Sequence, residues 1–546
     1  MTTLQGGQPG TEVERETNID ETGVGYKERR DSKDMKSFPI VDIDRAEEEQ
    51  EIGIGTQMRT QNTKASKEET ENLEEYEGIN KRHVKETNEE NMKEVLRSEF
   101  DRYGFKKAAM RHDVNIEDYN KWFSSYASYS IKQKKKWHVL FKSNGLKLES
   151  ENTIPTRFPP KSDKVKKMVR KGIPAEWRGN AWFFYGGGYE KWNKHKGVYL
   201  KIVQDTAGVK NKDTEVIERD LHRTFPDNVY YNELISSNGN YSEAFQTPRN
   251  ETELIKALRR VLVAFSQYQP QIGYCQSLNF LAGLLLIFMN EERAFWLLVI
   301  LTERIIPKVH STNLEGVHID QGVLMLCVKE YIPLLWSVIG RTSDGKHLPE
   351  EMLLSRLPPV ALVSLSWFMS LFVSTLPIET TLRVWDILWY EGSKTIFRIS
   401  LTIYKLCFVD SDLGAKSDQK ETSENDQIEL FQFLQNHPRT LLDANNLIDN
   451  CFRKIGGYGF GSLSQDEINR GREFVAKRRA RNKNKNYSYA TAMSDEEREA
   501  LMSSYVSLEG DTDNQQVHGL RKPLMSGVSW NKNISKKMRK KLVKKE

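Results

Sequence analysis

Between about Ser162 and Gly456 the apolar residues recur at three- and four-residue intervals in one segment after another, and nowhere do they alternate convincingly with a period of two. The first spacing lines up side chains on one stripe of a 3.6-residue helix, and the missing second one is the mark of a half-buried strand. A chain patterned this way can bury its stripes only by packing helix on helix, so the body is predicted to be all-α. Asn250–Gln267 illustrates the reading: Leu254, Leu258, Val261, Leu262 and Phe265 share one face, Asn250 with Glu253 forms a candidate N-cap, and Pro270 stops the run. The same spacing predicts helices over Thr214–Phe225, Ser277–Phe288, Glu292–Ile305, Gln321–Tyr331, Val360–Ser374, Ile378–Tyr390, Thr395–Phe408 and Gln427–Leu434.

Outside that body the chain changes character. Residues 1–95 carry 24 acidic against 14 basic side chains, are rich in Glu, Thr, Asn, Gln and Gly, and show no apolar period, so a disordered acidic arm is expected. From Gly471 to the end, 18 basic residues face 9 acidic ones, which predicts a basic, largely disordered tail from 457 to 546. The formal net charge of +5 therefore hides two opposed arms around a nearly balanced centre. The expected organisation is an arm over 1–95, a helical lead-in rich in aromatics over 96–171, a main domain over 172–392, completing helices over 393–456, and the tail.

Several function classes are excluded. The start Met1-Thr2-Thr3-Leu4-Gln5 has neither a basic nor an apolar leader region and no Gly at position 2, so no signal peptide or myristoyl group is expected. Leu357–Ile378 is uncharged for 22 residues, long enough to span a bilayer, but Pro358, Pro359 and Pro377 and the four-residue recurrence of Ser366, Ser370 and Ser374 favour a closely packed core helix. The four cysteines, Cys275, Cys327, Cys407 and Cys451, lie more than forty residues apart without ligand-spaced partners, which suits a reducing, cytosolic setting. Gly392-Ser393-Lys394-Thr395 lacks the order of a phosphate loop, and Gly186-Gly187-Gly188 reads as a tight turn between helices. No nucleotide, metal or cofactor site of the chain's own is visible, so any part in an enzymatic reaction must complete another protein's active site.

Three constellations could do that. In Ile217-Glu218-Arg219-Asp220-Leu221-His222-Arg223, Ile217 and Leu221 point inward, Arg219 and Arg223 outward, and Asp220 stands three residues before Arg223, close enough to orient it. Tyr274-Cys275-Gln276-Ser277 leaves a Pro/Gly turn and enters an apolar helix, placing Gln276 at an accessible helix start. Gly172-Ile173-Pro174-Ala175-Glu176-Trp177-Arg178-Gly179-Asn180-Ala181-Trp182 reads as a structural Arg178 stacked between two tryptophans. Taken singly, the first two are also ordinary helix decoration.

Together and in this order, with Leu376-Pro377 and Arg383-x-Trp385-Asp386 following, they resemble the TBC domain of Rab GTPase-activating proteins over about 172–392. The wording KGIPAEWRGNAW, IERDLHRTFPDN and YCQSLNFLAGLLL is most similar to fungal TBC proteins of exocytosis and polarised growth. The resemblance implies that Arg223 is an arginine finger and Gln276 a glutamine finger, that Asp220 orients Arg223, that Tyr274 shapes the loop of Gln276, and that Arg178 and Trp182 support the fold beneath them. It further implies a GTP-bound Rab as partner, with GTP and Mg carried by that Rab, and polarity scaffold proteins as further partners. Cytoplasmic residence with peripheral recruitment to membranes at sites of secretion is the matching expectation. A TBC-like body could also serve as a non-catalytic Rab-binding scaffold, although such modules usually lack the Arg or the Gln. The basic clusters Lys477–Lys483 and Lys536–Lys541 suit an anionic membrane surface ahead of a merely solubilising role, and no nucleic-acid partner is expected.

Overall fold

The computed structural model describes residues 84–108, 114–150, 152–232, 251–340, 357–411, 424–452 and 459–492, with isolated positions 346 and 348. Among them are eighteen α-helices and no strand; two isolated bridges, Phe100 with Lys106 and Phe105 with Asn228, are the whole of the β pairing. In chain order the helices are α1 (Glu89–Arg97), α2 (Ile116–Ser143), α3 (Asp163–Arg170), α4 (Arg178–Tyr185), α5 (Gly188–Lys194), α6 (Val198–Asp205), α7 (Lys212–Leu221), α8 (Glu253–Tyr268) and α9 (Leu278–Phe288). They continue with α10 (Glu291–Ile300), α11 (Glu315–Tyr331), α12 (Pro333–Ile339), α13 (Ala361–Ser370), α14 (Ile378–Glu391), α15 (Lys394–Asp410), α16 (Glu424–Asn436), α17 (Ala444–Phe452) and α18 (Gln465–Ala492).

Polar caps start many of these helices. Asn88, Asn115, Ser162 and Asn290 each accept a hydrogen bond from a backbone N–H of the first turn, and Asn211 forms a reciprocal capping box with Thr214 at α7. On α8 the predicted stripe of Leu254, Leu258, Val261, Leu262 and Phe265 is buried, and the helix packs against α7, α9 and α10. Its cap is Thr252 rather than Asn250, which lies outside the described residues. The expected turn at Gly186-Gly187-Gly188 joins α4 to α5, with Gly187 left-handed at φ 77°. Gly392-Ser393-Lys394 is a structural joint, where Ser393 and the Lys394 amide meet the Gln465 side chain.

Four expectations are corrected. Order starts well before residue 95: Val84, Met92 and Val95 are buried, and the Thr87 hydroxyl donates to Glu176 at 2.6 Å. Short-range composition misses this anchoring because its partners lie some ninety residues downstream. The body also runs past 456, because α18 lies along α11 and fastens to it through Arg472 with Asp320 at 2.6 Å and Arg479 with Glu315 at 2.9 Å. Part of the expected basic tail is therefore helical packing surface, whereas residues 1–83 and 493–546 lie outside the described residues. The helix predicted over Thr214–Phe225 stops at Leu221, and Phe225 is left-handed at φ 49°. The helix predicted over Val360–Ser374 stops at Ser370, with Leu371, Phe372 and Ser374 all left-handed, so Ser374 is off the face that it was expected to share. No helix among the described residues is long and apolar enough to cross a membrane.

Candidate functional site

The helix α7 ends one residue short of His222, and this early stop decides how Arg223 is presented. Ile217 and Leu221 are fully buried under α8, which anchors the helix, while Arg223 stands in the turn that follows. Its side chain is 50% exposed and ion-paired with Asp220, which is only 2% exposed. The second Asp220 oxygen accepts from the Tyr274 hydroxyl at 2.6 Å. Burial, reinforced by this bond to the carboxylate, drives the Tyr274 phenol far above its ordinary pKa, so it remains a donor at any physiological pH. Tyr274, expected to shape the loop of Gln276, thus also acts on the carboxylate that holds Arg223.

Gln276 is exposed, and its side chain has no hydrogen-bond partner among the described residues. The residue after it, Ser277, is left-handed at φ 93°, an uncommon conformation for a side chain with a Cβ. Three bonds over-determine it. The Ser277 hydroxyl donates to the Met369 carbonyl at 3.0 Å and lies 3.2 Å from His310 Nε2, and its N–H donates to Asn279 Oδ1 at 3.2 Å. Asn279, fully buried, then donates to the Thr224 hydroxyl at 2.8 Å, which itself donates to the Asp220 carbonyl at 2.7 Å.

The two loops are therefore laced on both sides of the exposed groups. Tyr274 and Asn279 flank Gln276, Asp220 and Thr224 flank Arg223, and direct hydrogen bonds run from Tyr274 to Asp220 and from Asn279 to Thr224. Sequence reasoning missed Thr224, Ser277, Asn279 and His310 because their roles are tertiary. The lead-in contributes as well: Lys106 N–H donates to the Asp227 carbonyl at 2.9 Å, Val229 N–H to the Gly104 carbonyl at 3.0 Å, and Asn228 Nδ2 to the Tyr103 carbonyl at 3.0 Å. The Phe105 ring meets Phe225 edge-on at 5.2 Å, so the 100–107 loop braces the back of the Arg223 turn.

Arg178 and Trp182 lie in a buried ionic knot. Arg178 donates to Glu379 at 2.6 Å, to Asp386 at 3.2 Å and to the Tyr103 hydroxyl at 2.5 Å, and Trp182 Nε1 donates to Asp386 at 2.9 Å. The carboxylates hold Arg178, and the ring that its guanidinium lies over is Tyr103, at 5.9 Å, rather than the two tryptophans expected. Burial alone would raise the Glu379 pKa, but the Arg178 charge beside it outweighs burial and brings it down to about 2. Trp182 packs on Phe288, the last residue of α9, at 4.8 Å between ring centroids. The helix that begins beside Gln276 thus ends on this knot.

What the arrangement offers is an exposed guanidinium and an exposed carboxamide on two tied loops. No cluster of metal-binding side chains occurs among the described residues. Residues 175–408 match the model of the Rab-GTPase-TBC domain. The chain is 41% identical over 498 residues to the GTPase-activating protein GYP3 of Saccharomyces cerevisiae, covering 83% of this chain and 76% of that one. The chain belongs to the TBC family of Rab GTPase-activating proteins. The GTPase-activating protein MSB4 of the same yeast is 42% identical over 419 residues, covering 70% of this chain and 82% of that one. The human growth hormone-regulated TBC protein 1 is 35% identical over 308 residues, covering 56% of this chain and 77% of that one. As a member of this family, the chain has Rab GTPases as its partners.

Proposed function

We propose that this TBC protein accelerates GTP hydrolysis by inserting Arg223 and Gln276 into the nucleotide site of a GTP-bound Rab. The observation that carries the reading is that Asp220 holds Arg223 with one oxygen and, with the other, the tyrosine two residues before Gln276. A small GTPase alone hydrolyses slowly because charge developing on the transferring phosphoryl group lacks a cation and the attacking water is loosely held. An arginine supplied in trans is worth roughly 10³–10⁵ in rate, and a glutamine orients the water. The planar guanidinium can bridge two phosphate oxygens, which a lysine ammonium cannot. GTP and Mg belong to the Rab in this scheme, and the chain supplies no cofactor.

The similarity to the yeast GTPase-activating proteins supports a role in vesicle traffic, with an exocytic Rab at sites of secretion and polarised growth as the substrate and an endosomal or vacuolar Rab as the runner-up. Cytoplasmic residence with peripheral membrane recruitment, polarity scaffold partners and attraction of the basic tail to anionic lipid belong to the same proposal. Phosphate release measured across a panel of GTP-loaded Rabs tests it. Arg223→Ala, Arg223→Lys and Gln276→Ala are each expected to remove most of the acceleration while leaving the helical content unchanged. Wild-type activation by Arg223→Ala would sink the finger assignment, and binding without acceleration by the unaltered protein would favour a scaffold.

A further inference from the structure

The exposed face of α2 has an unusual composition. From Lys121 to Ser143 its exposed side chains are five lysines, four serines and Val139, and after Asp118 the helix carries no acidic residue. At 3.6 residues per turn, Lys121, Lys132, Lys135, Lys136 and Lys142 fall within an arc of about 120°, with Val139 in its middle, over a length of roughly 30 Å. Val139 is 68% exposed, the highest value among the large apolar side chains of the described residues. The helix is fixed to the body from its flank, where Tyr129 donates to the Lys171 carbonyl at 2.8 Å, and from its opposite face, where Trp137 donates to the Gly172 carbonyl at 2.8 Å and the one inward lysine, Lys134, pairs with Glu176 at 2.7 Å. Beside it on and just after α3, Lys167 and Lys171 are exposed too.

A lysine row usually needs no explanation beyond solvation, and single exposed lysines without an acidic partner among the described residues, such as Lys194, Lys201 and Lys210, occur elsewhere; many of the bases that this chain pairs are half-buried ones, and α2 differs in aligning its unpaired lysines on one face. Arg259 binds Glu218 and Glu251, Arg260 binds Glu291, and Lys191 binds Glu303. On α2 the five exposed lysines have no acidic partner among the described residues, and those at three- and four-residue spacing repel one another at a cost of a few tenths of a kcal/mol per pair. The face also lacks what a protein partner would grip, since its exposed residues include no aromatic or arginine anchor. Small serines between long lysine stems, one aliphatic side chain at the centre and one sign of charge from Lys121 to the end of the helix match a broad anionic plane, and Glu117 and Asp118, exposed on the same arc, bound this face at its N-terminal edge.

We propose that this face of α2 docks the folded body on an anionic phospholipid surface, the lysines meeting lipid headgroups and Val139 entering the headgroup layer. The inference is independent of the roles of Arg223 and Gln276 and of the tail beyond the described residues. Each lysine near such a surface contributes about 1 kcal/mol, and the attraction decays within a Debye length, so binding must be steeply salt-dependent.

The test is co-sedimentation of the full chain with vesicles of phosphatidylcholine containing about 30% phosphatidylserine, at salt concentrations from about 0.1 to 0.5 M. The combined variant Lys132→Gln, Lys135→Gln, Lys136→Gln and Lys142→Gln is expected to lose at least about tenfold in partitioning at the lower salt. It should keep its helical content and activate a soluble Rab as the unaltered protein does. Lys477→Gln with Arg481→Gln on α18 controls for attraction through the C-terminal helix, and that pair should leave most of the binding intact. The proposal is overturned if the four-lysine variant sediments like the wild type, if neutral phosphatidylcholine vesicles capture the wild type equally well, or if the wild type does not sediment with anionic vesicles.

Discussion

Asp220 accepts from two sides, and this fixes what each neighbour can do. A buried carboxylate with one oxygen on Arg223 and the other on Tyr274 presents the guanidinium outward in one orientation. Removing the phenol hydroxyl takes one hydrogen bond from a charged acceptor, which is worth roughly 1.5–3 kcal/mol, and leaves that oxygen under-satisfied. On the proposed role of Arg223, Tyr274→Phe is therefore expected to lower the maximal rate of Rab GTP hydrolysis about tenfold, because an inserted side chain that wanders by an ångström forfeits most of its benefit. Binding should change much less, since the exposed surface is unaltered. Single-turnover rates at varied protein concentration separate the two effects, and an unchanged rate would show that Asp220 holds Arg223 without help. The Asp220 and Arg223 pairing was legible in the sequence because a three-residue spacing is a local rule. The part of Tyr274 in it was not, because its partner lies 54 positions away.

At the level of elements, the loop between α8 and α9 depends on a helix end that the sequence disguises. The run Leu357–Ile378 has no charge or glycine to mark a stop, yet α13 ends at Ser370, and the left-handed residues beyond it free carbonyls that other elements use. Met369 receives the Ser277 hydroxyl and His310 Nε2, and Leu371 receives the Trp385 indole N–H. His310 Nδ1 is buried without a partner, so protonating this ring would strand a charge, and burial pushes its pKa from 6.5 down to about 4. A histidine whose pKa is depressed by folding contributes no penalty above pH 6.5 and destabilises the folded state increasingly as pH falls toward 4. A shift of this size corresponds to roughly 3 kcal/mol. His310→Gln, which keeps a donor near Met369, is expected to flatten the decline of the thermal midpoint between pH 6.5 and 4, as followed by circular dichroism. A variant as acid-sensitive as the wild type would mean that His310 does not carry this dependence. The regular stretches of α8, α9 and α14 were readable from their period; a stop inside an apolar run was not, because only the tertiary contacts around it select the break.

Across the whole molecule, Arg178 joins segments that the chain separates by some two hundred residues. The lead-in reaches it through the Tyr103 hydroxyl, α14 through Glu379 and Asp386, and the segment entering α4 through the Ile173 N–H on Asp386. Composition could show that 84–107 is polar but not that Tyr103, Arg102 and Thr87 are buried against this cluster, which is why the ordered body is longer than its apolar pattern suggests. Deleting the central cation would leave two buried carboxylates facing each other. Breaking a buried pair from one side costs about 3–5 kcal/mol, a large part of the 5–15 kcal/mol that holds a typical domain together. Arg178→Ala is expected to lower the unfolding midpoint by roughly 10 °C at neutral pH. The deficit should shrink on acidification: Glu379 is held at about 2 in the folded protein against 4.5 ordinarily, so the stability that Arg178 provides through it is full above pH 4.5 and fades as pH falls toward 2. Arg178→Lys restores the charge without the fork and should recover only part of the loss. A folded Arg178→Ala protein with a wild-type midpoint but no GTPase activation would instead place Arg178 in the reaction itself, so melting curves with activity measured on the same samples decide between the two roles.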